Sequence, residues 1–346
     1  MTNNELYAME LLLGGHLHGR KIGQSYCTYF LTEACITNPE ALDKWLLNNG
    51  YIRMPNIHEV LSLYNIKELK CFLQSFGLKI SGKKDELISR LIDNAPGDFL
   101  DTELSNHSEY YFLSDKGAEF YYNNIDLEKY HKYIIYDIPL NEYFQYRKSG
   151  ITNNFEDIAY IILTKQIDDV NWNSSRVVFN NFKFMYLSEI CERQKIYENA
   201  LYYALLKLYF DVNLMNNYGL FYPDEYVDLY LVRSIDKMVE RIDSSYIFNK
   251  YLIARIAKFS NYYHESIIDE IYSSKYIKRL FLDKINFKQL VCDIFESSTF
   301  DGLIYINIIK SNYRNFLTKK IRTLPKKLSK PSSVFAKLKN LFKKFL

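Results

Sequence analysis

Apolar side chains recur every three to four positions along most of this chain, and alternation by two is confined to short stretches. In HEVLSLYNIKELKCFLQSFG the spacing of Ile66, Leu69, Leu73 and Phe76 predicts one helix, which Gly77 is placed to stop. GKKDELISRLIDN predicts another, with Leu87, Ile88 and Leu91 as its apolar stripe and Ser81 as its cap. Upstream, a loose start and a Gly-rich turn, GGHLHGRKIG, lead into a helix from Glu40 to Asn48, with Pro39 at its first position and Gly50 just past its end. Residues 1–60 therefore read as an N-terminal helical segment, followed by a helical pair at 61–95.

Residues 96–150 read differently. YYFLSDKGAEFYYNN predicts a short strand running into a helix, and YHKYIIYDIPL a second strand stopped at Pro139, together a small α+β element. From 151 to 318 the pattern is helical again. FMYLSEICERQKIYENALYYALLKLYFDV reads as a helical hairpin, and Val227, Leu231, Ile235, Met238 and Ile242 share one face of the next segment. Further helices are expected near 246–260, 264–273, 286–297 and 301–316, giving a helical bundle or an irregular helical-repeat domain. The fold class is mainly α.

Composition narrows this picture. With 48% hydrophobic and 25% charged residues, the 346-residue chain is globular, with room for two or three domains. Its five cysteines form no C-x-x-C, which disfavours a disulfide framework or a zinc ribbon and fits a reducing, cytoplasmic setting. No apolar run is long enough to span a bilayer, and the N-terminus lacks the basic start of a secretory signal. Charge is unevenly spread: from Lys319 on there are ten Lys and Arg and no acid, which leaves 34 basic against 41 acidic residues, a net of −7, in the rest.

The stretch GLKISGKK, residues 77–84, meets all but the last position of the phosphate-cradling pattern G-x-x-x-x-G-K-[ST]. Lys84 stands where a hydroxyl would bind magnesium, and the preceding segment is a helix rather than a strand, so a nucleotide loop does not fit. IKELKCFLQSFGLKISGKKDELISRLI instead resembles the SAP domain, a helix–extended loop–helix DNA-binding motif, over about residues 61–95. The matching positions are Leu69 and Leu73 on the first helix, Gly77-Leu78 at the turn, Ser81 to Lys84, then Leu87-Ile88 and Arg90-Leu91. That resemblance implies binding to AT-rich duplex DNA through backbone and groove shape, with low sequence specificity. The residues support it: the segment carries Lys67, Lys70, Lys79, Lys83, Lys84 and Arg90 against four acids, Glu68, Asp85, Glu86 and Asp93. Lys83 and Lys84 adjoin the free N–H groups that open the second helix, and Gly82 lets a backbone approach closely. The DNA-binding set is thus Lys67, Lys70, Lys79, Ser81, Gly82, Lys83, Lys84 and Arg90. Asp85 and Glu86 favour the helix start and reduce attraction for phosphate.

Other chemistry has little footing in the sequence. His16 and His18 have no clustered partner and read as part of a flexible turn, and neither His58 nor His264 completes H-E-x-x-H. No catalytic residue, metal site, cofactor motif or small-molecule substrate is expected, so the chain reads as non-enzymatic. Leu113, Ser114, Gly117 and Phe120 fit a short strand-to-helix signature common in winged-helix proteins. The wider arrangement resembles SAP-domain proteins of low-GC Gram-positive bacteria and their phages, which implies an architecture and leaves the helical domain to a protein partner. TLPKKLSKPSS reads as a basic linker, and VFAKLKNLFKKFL as a cationic amphipathic helix with Lys337, Lys339, Phe342, Lys343 and Lys344. Three occupants fit that tail: an anionic membrane surface, a nucleic acid, and the acidic body or a partner protein.

Overall fold

A computed structural model describes residues 2–26, 28–133, 136–152, 154–169, 182–213, 235–240, 242, 244–274, 281–297 and 299–323. Val227 and Leu231 of the expected apolar face, and the whole amphipathic tail with Lys337, Lys339, Phe342, Lys343 and Lys344, lie outside the described residues. The protein is mainly helical and divides into two compact units, Met1–Ile158 and Ala159–Leu346. Among the described residues, no helix is long and apolar enough to cross a membrane.

The first unit is built around α1 (Asn3–His16), which a Thr2–Glu5 capping box opens. Tyr7, Ala8, Met9, Leu12 and Leu13 of α1 are fully enclosed. The helix runs straight through Gly14 and Gly15 to His16, which corrects the expected loose start and flexible turn. His16 is buried: Nδ1 donates to the Tyr111 carbonyl at 2.9 Å and Nε2 bonds Asp43 at 2.7 Å, while the Tyr26 hydroxyl donates to the same carboxylate at 2.7 Å. After β1 (Arg20–Lys21) and the single turn α2 (Tyr29–Thr32) comes α3 (Pro39–Asn48), then β2 (Ile52–Arg53). Gly50, at φ 73°, ends α3 in a left-handed turn, as its position foretold.

Next come α4 (Ile57–Ser62), α5 (Ile66–Ser75), α6 (Lys84–Asn94) and α7 (Gly97–Asn106), then β3 (Tyr110–Leu113), α8 (Asp115–Asn123), α9 (Ile125–Lys132) and α10 (Leu140–Ser149). β3 is the middle strand of a three-stranded antiparallel sheet in the order β1-β3-β2, with Arg20 opposite Tyr111 and Ile52 opposite Leu113. The expected strand-to-helix step at 110–123 is present, but its sheet partners come from residues 20–21 and 52–53. The second strand expected in YHKYIIYDIPL is replaced at Tyr130–Lys132 by the end of α9, where the Tyr130 hydroxyl donates to the Ile138 carbonyl at 2.6 Å. Tertiary burial of that tyrosine outweighs the β preference of its aromatic neighbours.

In the second unit, the main hairpin is α12 (Phe182–Arg193) with α13 (Tyr197–Val212), which follows α11 (Phe155–Asp168), a helix that begins in the first unit. Lys195, left-handed at φ 63°, closes the turn between them. The Ser188 hydroxyl donates to the Ala200 carbonyl at 2.6 Å and accepts from Arg255 Nε at 2.7 Å. The later helices are α14 (Ile235–Glu240), α15 (Ser244–Ile247), α16 (Lys250–Lys258), α17 (Glu265–Ser273), α18 (Lys284–Glu296) and α19 (Leu303–Thr323); the last three fall close to their expected positions, whereas the one helix expected near 246–260 is divided into α15 and α16. α19 continues past 318, the expected end of the helical domain, to Thr323, so the basic stretch begins within a helix.

Candidate nucleic-acid interface

The helical pair is built on short signals. Asn56 and Asn65 each begin a capping box, bonding the N–H groups of Glu59 and Glu68 and taking back those glutamates' carboxylates. The N-x-x-E spacing was therefore the sequence signal for α4, a third helix the apolar pattern did not separate from α5. Leu61 of α4 joins Leu69, Leu73, Leu87, Ile88 and Leu91 in a closed core, with Phe72, Phe76 and Leu78 packed at its edge. Ile66, expected inside, is 46% exposed. It begins α5, where its side chain clears the α5–α6 seam. α7 extends the core, since Phe99 meets Phe72 and Phe76 at centroid distances of 5.3 and 5.0 Å, and the Tyr64 hydroxyl donates to Glu103.

Gly77, at φ 68°, turns the chain out of α5: its N–H donates to the Gln74 carbonyl at 3.1 Å and the Leu78 N–H to Leu73 at 2.7 Å. The chain then runs through Lys79, Ile80, Ser81, Gly82 and Lys83, all exposed. α6 is capped at Lys83, not Ser81, and the Glu86 carboxylate folds back to accept the Lys83 N–H at 3.3 Å. Gly82, at φ 140°, makes room for that carboxylate, because a Cβ here would sit 2.6 Å from Glu86 Oε2. What approaches Gly82 closely is thus the chain's own glutamate. The seat expected for a phosphate at the helix start already holds an anionic group.

Two of the expected DNA-contacting cations are turned inward. Lys84 Nζ donates to the Ser62 carbonyl at 2.6 Å, tying the start of α6 to the end of α4. The Arg90 guanidinium donates to the Lys79 carbonyl and, at 3.1 Å, to the Ser81 carbonyl, bracing the loop from below. Both are half-buried, and both shape the surface rather than present charge on it. Lys67, Lys79 and Lys83 are exposed, and Lys70 is partly so. The Lys84–Ser62 bond sets the first turn of α6 beside the α4–α5 junction, so Lys67, in the first turn of α5, and Lys83 belong to one end of the motif.

Residues 60–94 match the SAP domain. The match covers about a tenth of the chain and coincides with the expected helical pair. Compared with curated proteins, the chain as a whole finds no match. The SAP domain is a DNA-binding motif, and here its loop is fixed from both sides, by Arg90 beneath and Lys84 at the helix start. Elsewhere, among the described residues, no group of three or more His, Cys, Asp or Glu is placed to hold a metal ion.

Proposed function

We propose that this is a non-enzymatic nucleic-acid-binding protein whose SAP domain lies against the backbone of duplex DNA, preferring AT-rich sequence through groove shape. The observation that carries the reading is the exposed cation set: Lys79 and Lys83 on a loop whose geometry Arg90 and Lys84 hold, and Lys67, with Lys70 at its margin, on α5. Backbone contacts of this kind position a protein without reading base edges, so discrimination between sequences is small. The helical second unit supplies a surface for a protein partner.

Anisotropy of a labelled AT-rich duplex, titrated with salt, tests the assignment. Removing two phosphate contacts in a Lys79→Ala/Lys83→Ala variant flattens the log K against log salt slope by about 1.8, at about 0.9 per contact. Unchanged affinity and slope in that variant would show that these lysines do not meet DNA.

A further inference from the structure

The first unit carries a partly open cavity of about 350 Å³ whose walls include Glu10, Gly14, Arg20, Phe30, Tyr121 and Glu128. Glu10 projects from α1 and is only 1% exposed, yet neither of its carboxylate oxygens has a hydrogen-bond partner. A buried carboxyl group without a protein partner is rare and costly, because no protein group replaces the solvent it lost. Its neighbour Glu128 is satisfied by the Tyr121 hydroxyl, which donates at 2.6 Å. Once ionised, Glu10 presents two acceptors at a space large enough for a small molecule, and a ligand that holds it in that form must bring N–H or O–H donors.

The charges around it choose among donors. Asp126 and Glu128 of α9 add negative potential at Glu10, which Arg147 of α10 only partly offsets. Of the basic groups in the wall, which also include His18, Arg20 turns its guanidinium to the Gln24 carbonyl at 3.2 Å and the Tyr26 ring at 4.5 Å, and burial pushes the His131 imidazole down toward its neutral form. The acids therefore outweigh them at Glu10, an anion is disfavoured there, and the described residues offer no metal-ligand cluster. Leu11, Leu17 and Phe30 supply apolar wall for a short aliphatic stem.

We propose that this cavity binds a small organic cation, a primary amine or guanidinium compound, whose N–H groups donate to both oxygens of Glu10. Burial, with Asp126 and Glu128 adding to it, raises the Glu10 carboxyl to about 9, so the empty site holds a proton at neutral pH that a cation displaces. The sequence, which suggested no small-molecule ligand, gave no sign of this site, since one glutamate on an apolar helix carries no motif.

Titration calorimetry of the full chain with agmatine and with 1,4-diaminobutane at pH 7.5, in two buffers of different ionisation enthalpy, tests it. Saturable binding with release of about one proton is expected, and Glu10→Gln lowers affinity at least tenfold while its thermal unfolding shows that it folds. Gly14→Ala is a second variant: its methyl lies 3.4 Å from the Tyr121 ring, keeps the helix and narrows the cavity, so binding weakens. Binding of neither probe by the unmodified protein, or equal binding by Glu10→Gln, overturns the proposal.

Discussion

Lys83 and Lys84 are adjacent, of one type, and alike in any reading of charge along the sequence, but the structure gives them separate tasks. Lys83 is exposed at the loop, whereas the Lys84 ammonium is spent on the Ser62 carbonyl. Lys84→Met should lower the stability of the first unit by about 1 kcal/mol, the usual worth of such a bond, and leave the salt slope of DNA binding where it was. Lys83→Ala should do the reverse, leaving urea unfolding unchanged and flattening that slope by about 0.9. The residue types of the site were legible because lysine, glycine and serine at those spacings form a recognisable string. Which lysine points outward was not, because that depends on where α4 ends, and α4 was hidden within the apolar run preceding α5.

Helices with one apolar stripe were the legible elements. α5 and α6 bury Leu69, Leu73, Leu87, Ile88 and Leu91 and leave their other faces wet, so the period agrees with the sequence pattern, while α6 is capped two residues after the expected Ser81. α1 escaped because it is enclosed on several sides, which erases the stripe, and its Gly14-Gly15 pair imitates a turn. β1 and β2, two residues each, are too short to show alternation. The junction of α3 and α8 shows how such elements are held. The Ser114 hydroxyl caps α8 through the Gly117 N–H at 3.0 Å and donates to the Gly50 carbonyl at 2.6 Å, and Lys116 Nζ reaches the Asn49 carbonyl at 2.8 Å. Gly117 is needed because a Cβ would lie 1.9 Å from the Tyr51 carbonyl oxygen, a backbone atom with no freedom to yield. Ser114→Ala is expected to cost about 1–2 kcal/mol, and Gly117→Ala about 3 kcal/mol by overpacking, both read from urea unfolding.

For the molecule as a whole, Glu10 sets a pH dependence with a definite sign. Its carboxyl titrates at about 9 when folded, against 4.5 for the free group, with Asp126, Glu128 and Arg147 acting on it. Between those values the folded protein keeps a proton that the unfolded chain has lost, so stability falls as pH rises, by at most ~1.4 kcal/mol per pH unit. Unfolding curves from pH 5 to 9 should show Glu10→Gln gaining on the unmodified protein throughout, with the gap widest at pH 9. The SAP domain is continuous with this unit, since Phe99 and Glu103 of α7, beyond the matched residues, close its core. Its loop also carries its own surrogate for a phosphate. With the Glu86 carboxylate folded over Gly82, a strand docking as proposed would compete with a tethered anion before it gained the Lys83 N–H. Glu86→Gln should therefore tighten DNA binding most at low salt, a gain that shrinks as added ions screen it. In the proposed duplex contact the tethered carboxylate would act as an internal ceiling on affinity, keeping residence on any one stretch short and exchange between stretches fast.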